Sequence, residues 1–372
     1  MKIIKWLISF LSRTTNIIAV AALLLCLSAA YLHPEKVWML PLFGMLLPFF
    51  IFVNLLFVFI WIWRRRYFAL VSAFAIMLCV PQLLHLFSFG IFKNHEDADK
   101  PKIKILSYNV RDFDLYNWSE NRNSKNEIFK TIKDIDADII CFQEFYSDTS
   151  QTFNTIKQLQ EAGYSHYYFT RELVLRNTDE WGIAIFSKKQ IVDSGQILKQ
   201  NFKTGYGKQP YKGIYADFAF SDTTIRIFCV HLQSIYFGKD EYQTIVELKE
   251  NQNIDENGVM KIVGKLRRAF VRRAKQATEL KLILDKQTLP YIVCGDFNDL
   301  PNSYVYNTVS SNLKDAFLEN GFGVGSTYSG KIPFLRIDYM LSQPMLQPVA
   351  FRIDKNKISD HHPVWAEYVF EK

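Results

Sequence analysis

The sequence predicts an α/β domain set behind a helical membrane region, and three observations carry that expectation. Long apolar runs crowd the first 92 residues. From Ile103 onward, short apolar runs of strand length alternate with stretches patterned for helix. The charge divides at the same boundary. Of 44 cations and 37 anions, eight and one lie before residue 94, so the remainder is balanced at 36 of each. The net charge of +7 therefore belongs to the apolar region and gives no sign of a nucleic-acid-binding body. Apolar residues make up 49% of the chain, ample for a core.

The apolar runs cover residues 17–32, 37–63 and 67–92. A membrane-spanning helix needs about 20 apolar residues. The second and third runs reach that length, and the first does so only with its flanks. Pro41, Pro48, Asn54, Pro81 and His85 interrupt the later two, as a helical bundle tolerates. A multi-pass region of three helices over residues 1–92 is the expectation. Lys2, Lys5 and Arg13 precede the first run, and Arg64, Arg65 and Arg66 separate the second from the third. The excess of cations places the N-terminus and the arginine loop in the cytoplasm. Three crossings then put the C-terminal domain on the extracytoplasmic side of the cell membrane, after a polar linker at residues 93–102.

Residues 103–372 read as one catalytic-sized domain. "SKNEIFKTIKDI" opens with Ser124 and Glu127 at capping-box spacing, and Ile128, Ile132 and Ile135 fall on one face. Residues 259–284 read as a long helix with an apolar stripe and a basic face, the latter read as solvated. Cys26 and Cys79 lie in apolar runs, and Cys141, Cys229 and Cys294 in strand-like runs. Without a CxxC pattern they read as small buried hydrophobes.

A recurring pattern ends these runs. "IKILSYNV" delivers Asn109, "ADIICFQEF" Glu144, and "IRIFCVHLQS" His231. "YIVCGDFND" delivers Asp296 and Asn298, "RIDYML" carries Asp338, and "ISDHHPVWAEY" carries Asp360 and His361. Singly, each has a structural explanation: a turn cap, a lysine pair, an Asx turn, a satisfied core histidine. Together they set polar groups at strand ends, and a sheet gathers its strand ends on one rim. The set is rich in hard oxygen ligands suited to Mg²⁺ and poor in the ligands of structural zinc. His361 and His362 are adjacent in an extended run, so one of them faces the site and the other does not. Gly295 is expected to leave room for substrate.

In their order, Asn109, Gln143-Glu144, His231-Leu232, Gly295-Asp296-Phe297-Asn298, Ile337-Asp338-Tyr339 and Ser359-Asp360-His361-His362-Pro363 resemble the endonuclease/exonuclease/phosphatase superfamily, the DNase I-like and exonuclease III-like enzymes. The resemblance runs from about residue 103 to the C-terminus. It implies a four-layer α/β/β/α sandwich and a phosphodiesterase or nuclease-type hydrolase that uses Mg²⁺ or Mn²⁺. By the same resemblance Glu144 is the principal metal ligand, helped by Asn109 and Asp360. Asp296 orients or deprotonates the attacking water, and Asn298 and His231 hold phosphoryl oxygens. His361 serves the leaving group or the phosphate charge, with Asp338 fixing its ring.

The substrate is less constrained. Phe145-Tyr146 follow the glutamate where many nucleases carry a basic residue, and "VRDFD" follows Asn109. A Trp before the Gly-Asp-x-Asn and a late Cys-Asp-Arg, which mark inositol-polyphosphate 5-phosphatases, are absent from the sequence. A balanced domain tethered to a bilayer points to a lipid or other small phosphodiester. The alternatives are a membrane-anchored nuclease acting on DNA or RNA, and a non-catalytic binding module that keeps the fold. No protein partner is inferable.

Overall fold

The apolar region folds as five helices rather than three continuous ones: α1 (Lys2–Ser28), α2 (Leu40–Gly44), α3 (Leu47–Trp63), α4 (Ala69–Leu78) and α5 (Val80–Leu86). The computed structural model describes residues 2–90, 100–199, 203–204, 207–208, 211–235, 256–330, 334–356 and 358–371. The linker expected at residues 93–102 lies outside the described residues as far as 99. Prolines account for the breaks. Pro41 and Pro48 each sit in the first turn of a helix, where a missing N–H costs nothing. Pro81 has no N–H to give to the carbonyl four residues back, and the run breaks at Cys79, with α4 and α5 bent by 54°. Among the described residues, Trp6–Ser28 alone is long and apolar enough to cross a bilayer, with the bent α4–α5 pair as a second candidate. At 17 residues α3 spans ~26 Å, short of the ~30 Å hydrocarbon core.

The remaining elements follow in order. They are β1 (Ser88–Phe89), β2 (Lys102–Asn109), α6 (Ser124–Ile135), β3 (Ile139–Ser147), α7 (Thr155–Glu161), β4 (His166–Leu175), β5 (Asp179–Ser187) and β6 (Ile191–Lys199). Next come β7 (Lys203–Thr204), β8 (Gly207–Lys208), β9 (Tyr211–Phe220), β10 (Thr223–His231), α8 (Glu256–Leu284), β11 (Tyr291–Asp296) and α9 (Tyr304–Val309). The chain ends with β12 (Lys314–Asp315), α10 (Ala316–Asn320), β13 (Phe322–Gly323), β14 (Asp338–Ser342), β15 (Leu346–Ile353) and β16 (Val364–Phe370). Two compact units result. One gathers Met1–Leu86, Ser234–Lys275 and Leu300–Asn307, and the other Phe87–Gln233, Gln276–Asp299 and Thr308–Lys372.

In the first unit, Leu23 and Cys26 of α1 pack with Leu47 and Ile51 of α3 and with Ala75. The outward residues of the helices, among them Ile18, Phe52, Phe59 and Phe74, are exposed and apolar. Within this unit Asn302 Nδ2 donates to Gly44 O at 2.5 Å.

The second unit is a DNase I-like sandwich. One six-stranded sheet runs β15-β16-β2-β3-β5-β4 and the other β12-β14-β11-β10-β9-β6. Each holds one parallel pair, β2 with β3 and β10 with β11. The two-residue period of the strands decides the layers. Ile103 and Ile105 of β2, Ile139 and Cys141 of β3 and Ile183 and Ile185 of β5 join Ile227, Cys229, Ile292 and Cys294 between the sheets. The alternate residues Leu106, Tyr108, Ile140 and Phe142 meet Ile128, Ile132 and Ile135 of α6 and Leu159 of α7 on the outer face. The start of α6 differs by one residue from expectation. Asn123 is its cap, and Ser124 is the first helical residue, its hydroxyl donating to Asn121 O at 2.6 Å.

Candidate active site

Parallel strands release their carboxyl ends on one side, so β2, β3, β10 and β11 deliver their last residues to sheet rims. On the second sheet the register is direct: His231 pairs with Asp296 across β10–β11, and Asp296 with Asp338 across β11–β14. Residues directly opposite on neighbouring strands share a face. The three side chains therefore stand in one row across the sheet. His361 closes the row. Its Nδ1 lies 3.0 and 3.1 Å from the two Asp338 oxygens, and its Nε2 lies 3.7 Å from Asp296 Oδ2.

The first sheet meets this row. Asn109 ends β2, and its Nδ2 donates to Asp296 Oδ2 at 3.2 Å and to Glu144 Oε1 at 3.3 Å, so one amide bridges carboxylates from both sheets. Glu144 does not sit in regular strand. The β3–β5 register slips between Phe142 and Phe145, and Glu144 adopts a left-handed φ of 49°. A bulge of this kind turns a side chain out of its alternation. Gln143 stays in the core, its Nε2 donating to Ser107 Oγ at 3.3 Å, and Glu144 turns to the rim with 35% of its side chain exposed.

Two more left-handed residues shape the other edge. Gly295 has φ 137°, and a Cβ there would stand 2.0 Å from Val230 O. Its reason is close approach of β10 to β11, which corrects the expectation that it clears space for substrate. Asn298, at φ 54°, folds back on Asp296: its backbone N donates to Oδ1 at 2.8 Å and its Nδ2 to Oδ2 at 3.0 Å. Asp360 lies 3.5 Å from Arg111 Nε. Ser359 beside it donates to Asn109 O at 2.9 Å, which ties the C-terminal loop to the end of β2. His362 turns away, with Nδ1 3.0 Å from Asn356 O.

The electrostatics follow from burial. Desolvation lifts Asp296 to about 7, against the opposing pull of His361. Desolvation, with Asp360 adding to it, also raises Glu144. Burial disfavours charge on His361, yet Asp338, Asp296 and Asp360 together hold it well above the usual imidazole value. His231 goes the other way, pushed well below it by burial, Lys212 and His361. It is neutral, so its 3.6 Å approach to Glu144 Oε1 and 3.7 Å approach to Asp296 Oδ2 are not ion pairs. Its buried Nε2 has no hydrogen-bond partner among the described residues.

These features fit a divalent cation. Two desolvated carboxylates crowd one amide, and a positive charge between them would lower both. The donors at that edge, Glu144, Asn109 and Asp360, are oxygen-bearing groups of the kind Mg²⁺ and Mn²⁺ take. Ligand atoms of Asp296, Asp338 and His361 also lie within 4.8 Å of one another. There, however, both Asp338 oxygens already face the imidazole, which suits proton handling rather than ligation.

All eight residues singled out in the sequence lie in this cluster. Three neighbours escaped notice. Asp112, in the left-handed turn Arg111–Asp114, is raised to about 8 by burial and then by Glu144. Arg111 bonds Asp360 and its guanidinium lies 4.7 Å over the Trp118 ring. Lys212 precedes Gly213, which pairs with Val230 across β9–β10; its charge acts on His231, and it pairs with Glu172 at 3.4 Å. The stretch "VRDFD" held the signal for the first two, and nothing in "YKG" marks the third.

A family model described as the endonuclease/exonuclease/phosphatase family matches residues 106–361, and one described as a domain of unknown function matches residues 6–86. The 3'-5'-exoribonuclease subunit Ccr4 of the Candida albicans CCR4-Not complex is 26% identical over 303 residues, 67% of this chain and 37% of its own length. The chain thus spans little more than a third of that relative. Among solved structures, the human Nocturnin catalytic domain is 20% identical, covering 73% of this chain and 96% of that one at a TM-score of 0.49. A family protein from Bacteroides thetaiotaomicron is 18% identical at the same coverage and TM-score.

Proposed function

Because the chain belongs to the endonuclease/exonuclease/phosphatase family of hydrolases, we propose that it is a membrane-anchored, divalent-cation-dependent phosphodiesterase whose substrate is a lipid or other small phosphodiester. The observation that carries the catalytic reading is the open cluster itself. Both sheets converge on Asp296, and the His231 Nε2 at its centre is buried without a hydrogen-bond partner among the described residues.

Glu144 would hold the cation, with Asn109 and Asp360 beside it. When bound, the cation supplies charge neutralisation at the phosphoryl oxygens. The chain's own groups account for the rest. Asp296, poised near neutrality, takes a proton from the attacking water as its oxygen bonds to phosphorus. Asn298 holds that carboxylate through two hydrogen bonds. His231, neutral, donates from Nε2 to a non-bridging oxygen. His361 is kept protonated and oriented by Asp338, and gives its Nε2 proton to the departing oxygen as the second P–O bond breaks. The full chain, purified in detergent with Mg²⁺ or Mn²⁺, is expected to hydrolyse a chromogenic diester, phospholipid, DNA or RNA. Silence on the whole panel by folded protein would end this reading. Asp296→Ala and His361→Ala each abolish the activity if the roles are right.

A nuclease acting on RNA or DNA is the second reading, favoured by the likeness to an exoribonuclease subunit. The balanced charge after residue 93 supports the small-substrate reading instead. The intact site residues weigh against a non-catalytic binding module.

The anchor reading rests on α1, on the apolar α3 and bent α4–α5, and on their exposed apolar side chains. With the cations at the N-terminus and at Arg64, Arg65 and Arg66 in the cytoplasm, the catalytic domain lies outside. A cysteine placed at the exposed Val192 tests this. It is labelled by an impermeant thiol reagent in intact cells if the domain is extracytoplasmic, and protected if it is not.

A further inference from the structure

The helix α8 carries a charge pattern that the proposed chemistry does not use. Between Glu256 and Glu279 it holds seven cations and no carboxylate. With these seven set aside, the chain beyond residue 93 has 29 cations against 36 anions, so positive charge is concentrated on this one element. Lys261, Lys265, Arg268, Arg272 and Lys275 recur at steps of four and three, which sets them in one stripe along the helix. Ala269, Phe270, Ala274 and Ala277 are buried on the other side. Lys261, Arg268 and Lys275 are exposed, and Lys265 and Arg272 half-buried. Like charges at these spacings repel. Burial, and after it Arg268, pulls the Arg272 guanidinium below its ordinary value. A stripe of like charge held together against that repulsion is a surface for an anionic partner.

We propose that the stripe binds the phosphate headgroups of anionic phospholipid at the membrane surface, which rests on the anchor reading above and deepens it by naming a lipid class. α8 as far as Lys275 belongs to the same unit as α1–α5. Within that unit Lys275 Nζ lies 2.6 Å from Glu35 Oε1, in the loop that joins α1 to α2. The loop is tied to α5 as well, where Gln82 Nε2 donates to Tyr31 Oη at 2.5 Å. It leads into α2 and α3, and α3 runs on to Arg64 at its far end. In the anchor reading the loop therefore lies at one membrane face and the arginines at the other, and a direct ion pair sets the end of the stripe at the loop's face. Arg272 and Arg268 follow within ~4.5 and ~10.5 Å along the helix axis. An anionic surface acts over about that range, a Debye length of ~8–10 Å. The same unit exposes the apolar Ile18, Phe52, Phe59 and Phe74. A phospholipid offers acyl chains to these and phosphate to the stripe, whereas a nucleic acid offers only the second.

The full chain in dodecyl maltoside, titrated with dioctanoyl phosphatidylglycerol or with dioctanoyl phosphatidylcholine and followed by its thermal midpoint, tests this. The anionic lipid is expected to raise the midpoint by ~3 °C or more beyond the zwitterionic one, and ~1 M salt to erase the difference. Arg268→Gln/Arg272→Gln removes that preference, and Arg268→Lys/Arg272→Lys keeps it. Lys130→Gln/Lys133→Gln on α6, an equal loss of exposed charge in the second unit, leaves it in place. Equal shifts by both lipids, a preference undiminished in Arg268→Gln/Arg272→Gln, or one lost equally in Lys130→Gln/Lys133→Gln would overturn the lipid site. Flotation of the same chain with phosphatidylcholine vesicles would then leave the anchor standing, and a chain that does not float overturns both. Stripe-dependent binding of a labelled DNA duplex, with no response to phosphatidylglycerol, overturns the lipid site and gives the stripe to nucleic acid.

Discussion

Two buried polar clusters in this molecule differ in how fully their groups are paired. In the helical unit, Trp61 Nε1 donates to Asn16 Oδ1 at 2.8 Å, Asn16 Nδ2 to Ser72 Oγ at 2.6 Å, and Ser72 Oγ to Asn54 Oδ1 at 3.0 Å. Asn54 Nδ2 finishes on the carbonyls of Ala19 and Phe50. That network closes on itself and fixes which helix faces meet. At the sheet rim, His231 Nε2 has no hydrogen-bond partner among the described residues, and Asp296 and Glu144 are raised by desolvation with one amide between them. A closed cluster serves the fold. An open one is held together by the fold at a cost, and something outside the chain completes it.

The largest effect that separates the two belongs to the open cluster. Asp296→Asn is expected to lower hydrolysis by ~10²–10³-fold or more, measured as kcat/KM. The same change removes a crowded charge, so the thermal midpoint in chelator should hold or rise. A fall in the midpoint would place Asp296 among structural groups. The closed cluster should behave in reverse. Asn54→Leu leaves its neighbours unpaired and costs ~1–3 kcal/mol, with activity per folded molecule unchanged. Replacing Asn16, Asn54, Ser72 and Trp61 together by Leu, Leu, Ala and Phe should recover most of that loss in a denaturation series. A network whose joint replacement costs as much as the sum of its members would contradict the comparison.

A smaller effect is expected from Asp112, which borders the open cluster. Burial and Glu144 raise it from the ordinary carboxylate range to about 8, so the folded chain holds this proton more tightly than the unfolded chain. The stability it contributes is complete below pH ~4 and is lost as pH climbs through about 8. Asp112→Asn should flatten that decline in thermal unfolding followed across pH in chelator, and an unchanged slope would remove Asp112 from the cluster. The smallest effect belongs to neither cluster. Breaking the exposed Lys157–Glu161 pair, 3.8 Å apart, should change stability by no more than ~0.5 kcal/mol.

Much of the sandwich was legible because strands announce themselves by period two. Ile103, Ile105, Leu106 and Tyr108 sort into two layers as their alternation dictates. The site residues were legible because polar groups end apolar runs, as Asn109, His231 and Asp296 do. What sequence could not disclose is register. Glu144 faces the rim only because β3 slips against β5 within two residues, and the adjacent Gln143 stays in the core. Lys212 comes to act on His231 because β9 pairs with β10 after a turn, a relation with no local signature. The helices differ: composition marked the apolar runs, whereas Pro41, Pro48 and Pro81, each in the first turn of a helix, set where a helix starts anew within two of those runs.

The central claim is that the open cluster is completed by a divalent cation in order to hydrolyse phosphate esters. Isothermal titration of Mn²⁺ into the full chain and into Glu144→Gln, each followed by diester hydrolysis on the same samples, tests it most directly. The account predicts a saturable site in the parent chain, its loss in Glu144→Gln, and hydrolysis that appears only as the site fills. Hydrolysis undiminished in chelator, or cation binding unchanged in Glu144→Gln, would contradict it.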